Sequence, residues 1–266
     1  MSPVSGGEAR VPLTRARRVL VTGPVDGPGR GARGMKEWCG AAQDAGWEAL
    51  EWPLVSVRET DVDLVQRIDG LPDWIALTSS SAAAALERAG AALPELRGVP
   101  VGVVGERSAE RVRAAGFRVA PAPAATAAEL AARLSAELEG PEPGRVPGAA
   151  RVLWPRGPLS SELAELLRAA GVEVDDPIVY TVESIEHEER APSADAVFFA
   201  SPSAVRAWKA REGPRAGATA VAIGATTSAA LAELPAGAFA RTAVIAEPEP
   251  AELGRLLSEL AAEEEP

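Results

Sequence analysis

Residues 74–86 read WIALTSSSAAAAL, and residues 196–208 read AVFFASPSAVRAW. Each stretch opens on four apolar residues without polar alternation, passes through a cluster of serines, and continues into a run of helical composition. A short apolar run bounded by turn residues is the pattern of a strand buried on both faces of a parallel sheet. A helix directly behind it makes half of a βαβ unit. The same unit occurring twice points to an internal repeat, which has to be traced before a fold is named.

Working outward, PVGVVGERSA (100–109) matches TAVAIGATTS (219–228) and aligns Gly105 with Gly224. AAEL (127–130) answers PAEL (250–253), and RVL at Arg18–Leu20 answers RVL at Arg151–Leu153. Behind each RVL comes a helical run ending in Ala-Gly, at 45–46 and 170–171, then a strand and Pro53-Leu54 or Pro177-Ile178. The strands predicted in this way are 18–22, 48–52, 74–78, 100–104, 117–121, 151–154, 172–176, 197–200, 218–223 and 241–246. Their alternation with helical segments predicts an α/β protein with parallel sheets. The order of the repeated pieces fits a tandem array. It equally fits one domain inserted into the other, with Pro53–Arg58 and Pro177–Glu183 as paired extended connectors.

A chain of 266 residues, 47% hydrophobic and 24% charged, suits two modest globular domains. The net charge of -11 argues against nucleic-acid or anionic-membrane partners. No run approaches the roughly 20 apolar residues of a membrane span, and residues 1–18 lack a signal-peptide core. The expectation is a cytoplasmic protein and a monomer, with loose ends at 1–14 and 263–266 and a surface loop at GPEPGRVPG (140–148). The lone Cys39 fits a reducing compartment and a buried helix position. His187 is the only histidine, in the charged stretch IEHEER, so neither a Ser-His-Asp triad nor a histidine metal site is expected. The six tryptophans are read as packing residues.

Ser79, Ser80 and Ser81, and likewise Ser201 and Ser203, fall where a strand hands over to a helix. They can cap the helix, or they can join its unpaired amides in holding an anion. Gly105 and Gly224 are expected to turn the chain tightly after a strand. Ser108, Thr226 and Thr227 behind them would offer hydroxyls and amides. Arg107 and Arg156 are the cations nearest these turns. Tyr180, the only tyrosine, lies in the second connector and reads by itself as a packing residue. GRGARG (29–34) formally matches a dinucleotide fingerprint, but Gly29 comes seven residues after Thr22 instead of directly after the strand, so it is read as a mobile loop.

In this order, TSSSA, VVGERSA, PIVYTVE, ASPSAV and AIGATTSAAL make the chain resemble uroporphyrinogen-III synthase over about residues 18–260. The resemblance implies two flavodoxin-like (Rossmann-like) parallel-sheet domains, one inserted in the other. Residues 15–52 with 184–262 would form the first and 59–176 the second, joined by a two-stranded connector of 53–58 and 177–183. It implies a small-molecule linear tetrapyrrole, hydroxymethylbilane, held between the domains and closed to uroporphyrinogen III with no cofactor and no metal. It makes Tyr180 the candidate to protonate the departing hydroxyl. Ser79, Ser81, Gly105, Arg107, Ser108, Arg156, Ser201, Ser203, Gly224, Thr226 and Thr227 become candidates to bind the substrate carboxylates. The chain departs from the family pattern at Gly23, where relatives often carry arginine, and at Pro158–Glu162. Two other readings remain: a two-lobed binding or regulatory protein of this fold without turnover, and a nucleotide-dependent enzyme using Gly29–Gly34.

Overall fold

The computed structural model describes residues 15–25, 31–139, 150–159 and 161–263. In chain order the elements are β1 (Arg18–Thr22), β2 (Pro24–Val25), α1 (Gly31–Asp44), β3 (Glu48–Glu51), β4 (Val55–Glu59), α2 (Leu64–Arg67), β5 (Trp74–Leu77), α3 (Ala83–Ala92), β6 (Val101–Val103), α4 (Glu106–Ala114) and α5 (Ala127–Glu139). They continue as β7 (Arg151–Leu153), α6 (Glu162–Ala169), β8 (Glu173–Asp175), β9 (Tyr180–Ser184), β10 (Ala196–Phe199), α7 (Pro202–Arg211), β11 (Arg215–Ala222), α8 (Ala225–Ala232), β12 (Phe239–Val244) and α9 (Pro250–Glu263). Two compact units result. One comprises Met1–Thr22, Met35–Trp52 and Glu188–Pro266, and the other Gly23–Gly34 with Pro53–His187.

The first unit holds a five-stranded sheet ordered β3-β1-β10-β11-β12, parallel throughout. Counted along the chain this is the 2-1-3-4-5 order of a flavodoxin-like sheet. β10 sits near its middle and is buried at every position. Successive strand residues point to opposite faces, and its two phenylalanines show the consequence. Phe198 packs on Trp38 of α1, with ring centroids 4.6 Å apart. Phe199 meets Trp208 of α7 edge-on at 5.6 Å and Phe239 at 5.8 Å. Each fully buried ring contributes roughly 1.5–3 kcal/mol by leaving water. Helices therefore cover both faces, which is why the strand reads as a continuous apolar run.

The second unit carries a four-stranded parallel sheet ordered β8-β7-β5-β6. Ile75 and Leu77 of β5 join the core under α3 and α4, whereas Ala76 between them joins the core of α5 and α6. Matching β7 to β1 by their shared RVL, and β5 to β10 by their serine turns, gives both sheets one spatial order, although the chain enters them at different strands. The predicted strand 117–121 is corrected to a single bridge, Val119 to Val101. The amide of Val101 donates to the Arg118 carbonyl and that of Ala120 to the Val101 carbonyl. Pro121 then has no N–H to extend the ladder. The same unit contains a small sheet in which β2 pairs parallel to β4, and β4 runs antiparallel to β9 from Val55 opposite Ser184 to Glu59 opposite Tyr180.

Gly31–Gly34 form the first turn of α1, so those four residues of GRGARG are helical and not a loop; Gly29 and Arg30 lie outside the described residues. The expected loop at 140–148 and the leader 1–14 also lie outside them, while Glu263 closes α9. Among the described residues, no helix is long and apolar enough to cross a membrane.

Candidate functional site

In open α/β sheets ligands bind beyond the carboxyl ends of the strands, near the point where the strand order reverses. In the first unit that point lies between β1 and β10. Ser201 and Ser203 follow β10, and Gly224, Thr226 and Thr227 follow β11. In the second unit Ser79 and Ser81 follow β5, Gly105, Arg107 and Ser108 follow β6, and Arg156 follows β7. Each unit thus gathers its own predicted residues at one end of its own sheet.

The two serine clusters, alike in sequence, differ in structure. Ser201 caps α7, its Oγ accepting from the amide of Ala204 at 3.2 Å and lying 3.2 Å from Ser203 Oγ. Pro202 is the first helical residue, where its missing N–H costs nothing. In the earlier cluster a turn intervenes, and α3 starts only after Ala82, with no side-chain cap. There Ser79 Oγ accepts from the Ser81 amide at 3.2 Å. Ser80 is 2% exposed and its Oγ has no hydrogen-bond partner among the described residues.

α4 and α8 also begin without a side-chain cap. Among the described residues their first-turn amides therefore have no side-chain capping oxygen, and the positive ends of their dipoles suit a carboxylate. Gly105 adopts φ 79° and needs glycine there; Gly224, at φ 173°, is extended, so the tight turn expected of it is corrected. Thr226 faces solvent, whereas Thr227 is wholly buried and its Oγ1 has no partner among the described residues. Ser108, the counterpart of Thr227, is buried in α4. Arg107 lies in the first turn of α4, and its side chain is outside the described residues.

Arg156 is not a free cation. Its Nε donates to Asp176 Oδ2 at 2.8 Å and its Nη1 to the Gly157 carbonyl at 3.0 Å, with the guanidinium 5.4 Å from the Trp154 ring centre. Arg168 donates to the other oxygen of Asp176 at 2.6 Å. Burial pushes the Asp176 carboxyl upward, but the hydrogen bonds from Arg168 and Arg156 outweigh it and hold it below the usual carboxylate range.

Tyr180 opens β9, half-buried against the core of the second unit, and its hydroxyl makes no hydrogen bond to another described residue. Asp176 is a site neighbour that the sequence reading did not single out. An acid next to Pro177 that could answer Arg156 was the one available signal. A cavity of about 480 Å³ in the second unit is lined by Glu59, Asp61 and Asp63, and its only lining cation, Arg88, is paired with Glu59. That wall repels a polycarboxylate. Among the described residues, no group of three or more His, Cys, Asp or Glu is placed to hold a metal ion.

The family model described as uroporphyrinogen-III synthase HemD matches residues 36–248. No curated protein matches the chain. Among solved structures, the uroporphyrinogen-III synthetase of Helicobacter pylori is similar at 17% identity and TM-score 0.61, over 91% of this chain and 99% of that one. A mutant uroporphyrinogen III synthase from the extremely thermophilic bacterium Thermus thermophilus is similar at 19% identity and TM-score 0.62, over 93% and 98%. These likenesses establish the shared fold, and the family model spans most of the sequence, including both serine turns, both glycine turns and Tyr180. The chain belongs to the uroporphyrinogen-III synthase family.

Proposed function

We propose that this chain is a cyclising lyase that converts hydroxymethylbilane to uroporphyrinogen III, inverting the last pyrrole ring and releasing water. The observation that carries the reading is the family match across residues 36–248, which takes in every turn discussed above. Nothing favours the nucleotide-dependent alternative, since Gly31–Gly34 are helical and stand well beyond the end of β1.

The chemistry asks little of side chains beyond placement. The Tyr180 hydroxyl gives its proton to the departing hydroxyl, the carbon–oxygen bond breaks, and water leaves behind a cation. That cation closes readily in the wrong sense, so the protein's work is to hold the last ring inverted and exclude the competing closure. The uncapped starts of α4 and α8, with Ser79, Ser81, Ser108, Ser201, Ser203, Thr226 and Thr227, would hold the substrate's carboxylates through amides and hydroxyls. Arg107 and the remaining donors of Arg156 would add charge, which a chain of net charge -11 must supply locally.

Supplying hydroxymethylbilane and measuring the ratio of type III to type I product tests the reading. Mainly type III product is expected; the spontaneous type I ratio would refute it. Tyr180→Phe should lower kcat by roughly 10²- to 10⁴-fold, the usual worth of a general acid.

A further inference from the structure

Gly157 is buried, and its backbone is not among those with positive φ, so its conformation does not call for glycine. The space beside it does. A Cβ built on Gly157 would stand 2.4 Å from Cζ of Tyr180 and 2.6 Å from both Cε2 and Oη. The place a side chain would take is filled by the hydroxyl end of the only tyrosine.

The backbone on which the phenol rests is itself tied down. The Arg156 amide donates to the Pro177 carbonyl at 3.0 Å, and the Val179 amide to the Arg156 carbonyl at 2.9 Å. Asp176, Trp154 and the Gly157 carbonyl hold the Arg156 side chain. Residues 156–157 are thus stitched to the strand that leads straight into Tyr180. The tip of the ring and the surface it touches belong to one local network.

We propose that Gly157 is a positioning residue: its missing Cβ forms the seat of the Tyr180 phenol and sets the point from which the hydroxyl delivers its proton. The inference rests on the reading above, in which Tyr180 is the proton donor. Gly157→Ala meets the far end of a rotatable side chain, so the ring swings aside while the fold stays in place.

Because Tyr180 is the sole tyrosine, protein labelled with 3-fluorotyrosine gives a ¹⁹F signal from this ring alone. Gly157→Ala should shift that signal, while Gly98→Ala, at a glycine with ordinary φ and no atom within 4 Å of its built Cβ, should not. In type III formation Gly157→Ala should lower kcat about a hundredfold with KM near the parent value, the scale of an ångström-sized misplacement. It should add little when combined with Tyr180→Phe. An unmoved ¹⁹F signal overturns the seat, and a moved signal with unchanged kcat overturns its catalytic purpose. Full kcat in Tyr180→Phe instead removes the underlying assignment, whatever the ring position. If Gly157→Ala does not fold, Asp176→Asn, which releases Arg156 without adding bulk, should shift the same signal, and no shift there overturns the proposal.

Discussion

Arg156 Nε donates to Asp176 Oδ2 at 2.8 Å, in a pair whose side chains are only 16% and 19% exposed. Arg168 shares the same carboxylate, so Asp176 joins the segment after β7 to the C-terminal turn of α6. Asp176→Asn should cost about 1–3 kcal/mol near neutral pH, the range for hydrogen bonds to a charged group. The pH dependence follows from the direction of the shift. The folded carboxyl titrates below its unfolded value of about 3.9, so its stabilisation is complete above that value and is lost as pH falls through the folded pKa. Urea titrations between neutral and strongly acid pH should show parent and variant converging in acid. A constant gap would refute this account.

Gly254 lets α9 approach α1 at its backbone. A Cβ there would stand 2.9 Å from the Ala41 carbonyl oxygen, which cannot rotate away. Gly254→Ala should destabilise by about 1–3 kcal/mol through overpacking. Gly40→Ala, inside α1 with nothing within 4 Å of the built Cβ, should stabilise by about 0.5–1 kcal/mol through helix propensity. Thermal unfolding of the two variants should move in opposite directions; movement in the same direction would contradict the packing argument.

Thr227 spends stability on an unpaired hydroxyl that is 0% exposed. Thr227→Val keeps the shape and removes the unsatisfied oxygen, so the free protein should gain about 1 kcal/mol or stay neutral. If Thr227 serves the substrate, KM for hydroxymethylbilane should rise in the same variant. A variant both less stable and fully active would show that the hydroxyl is structural.

Cys39 is 7% exposed, and burial, aided by the nearby Glu51 charge, pushes its thiol up to about 11. At neutral pH the thiolate is therefore only roughly one part in ten thousand. Iodoacetamide should label Cys39 far more slowly in the native protein than in urea. Equal rates would place the thiol at the surface.

Much of the architecture was legible because burial on both faces of a parallel strand leaves a local trace. AVFF at β10 and the VLV of residues 19–21 in β1 are apolar throughout, since helices pack on each side of the sheet. The repeat identified the equivalent strand ends, and the predicted binding residues stand at those ends within each unit. Local reading failed where a short segment had too few hydrogen bonds to complete, as at 117–121. It also failed at Gly31–Gly34, where four residues that resemble a turn are taken into a longer helix.

Period, hydrophobicity and repetition along the chain sufficed for the α/β class and the parallel strands, and five motifs in order carried the resemblance to the family. They are properties of neighbours in sequence, and each strand or helix expresses them wherever it sits. Tertiary packing alone decided that Arg156 answers Asp176, that Ser201 is spent on a cap while Ser80 and Thr227 are left unpaired, and that the phenol of Tyr180 rests on Gly157. Those outcomes depend on distances of a few ångströms between residues that only the folded backbone brings together, and hydrogen bonding and steric exclusion act over no greater range.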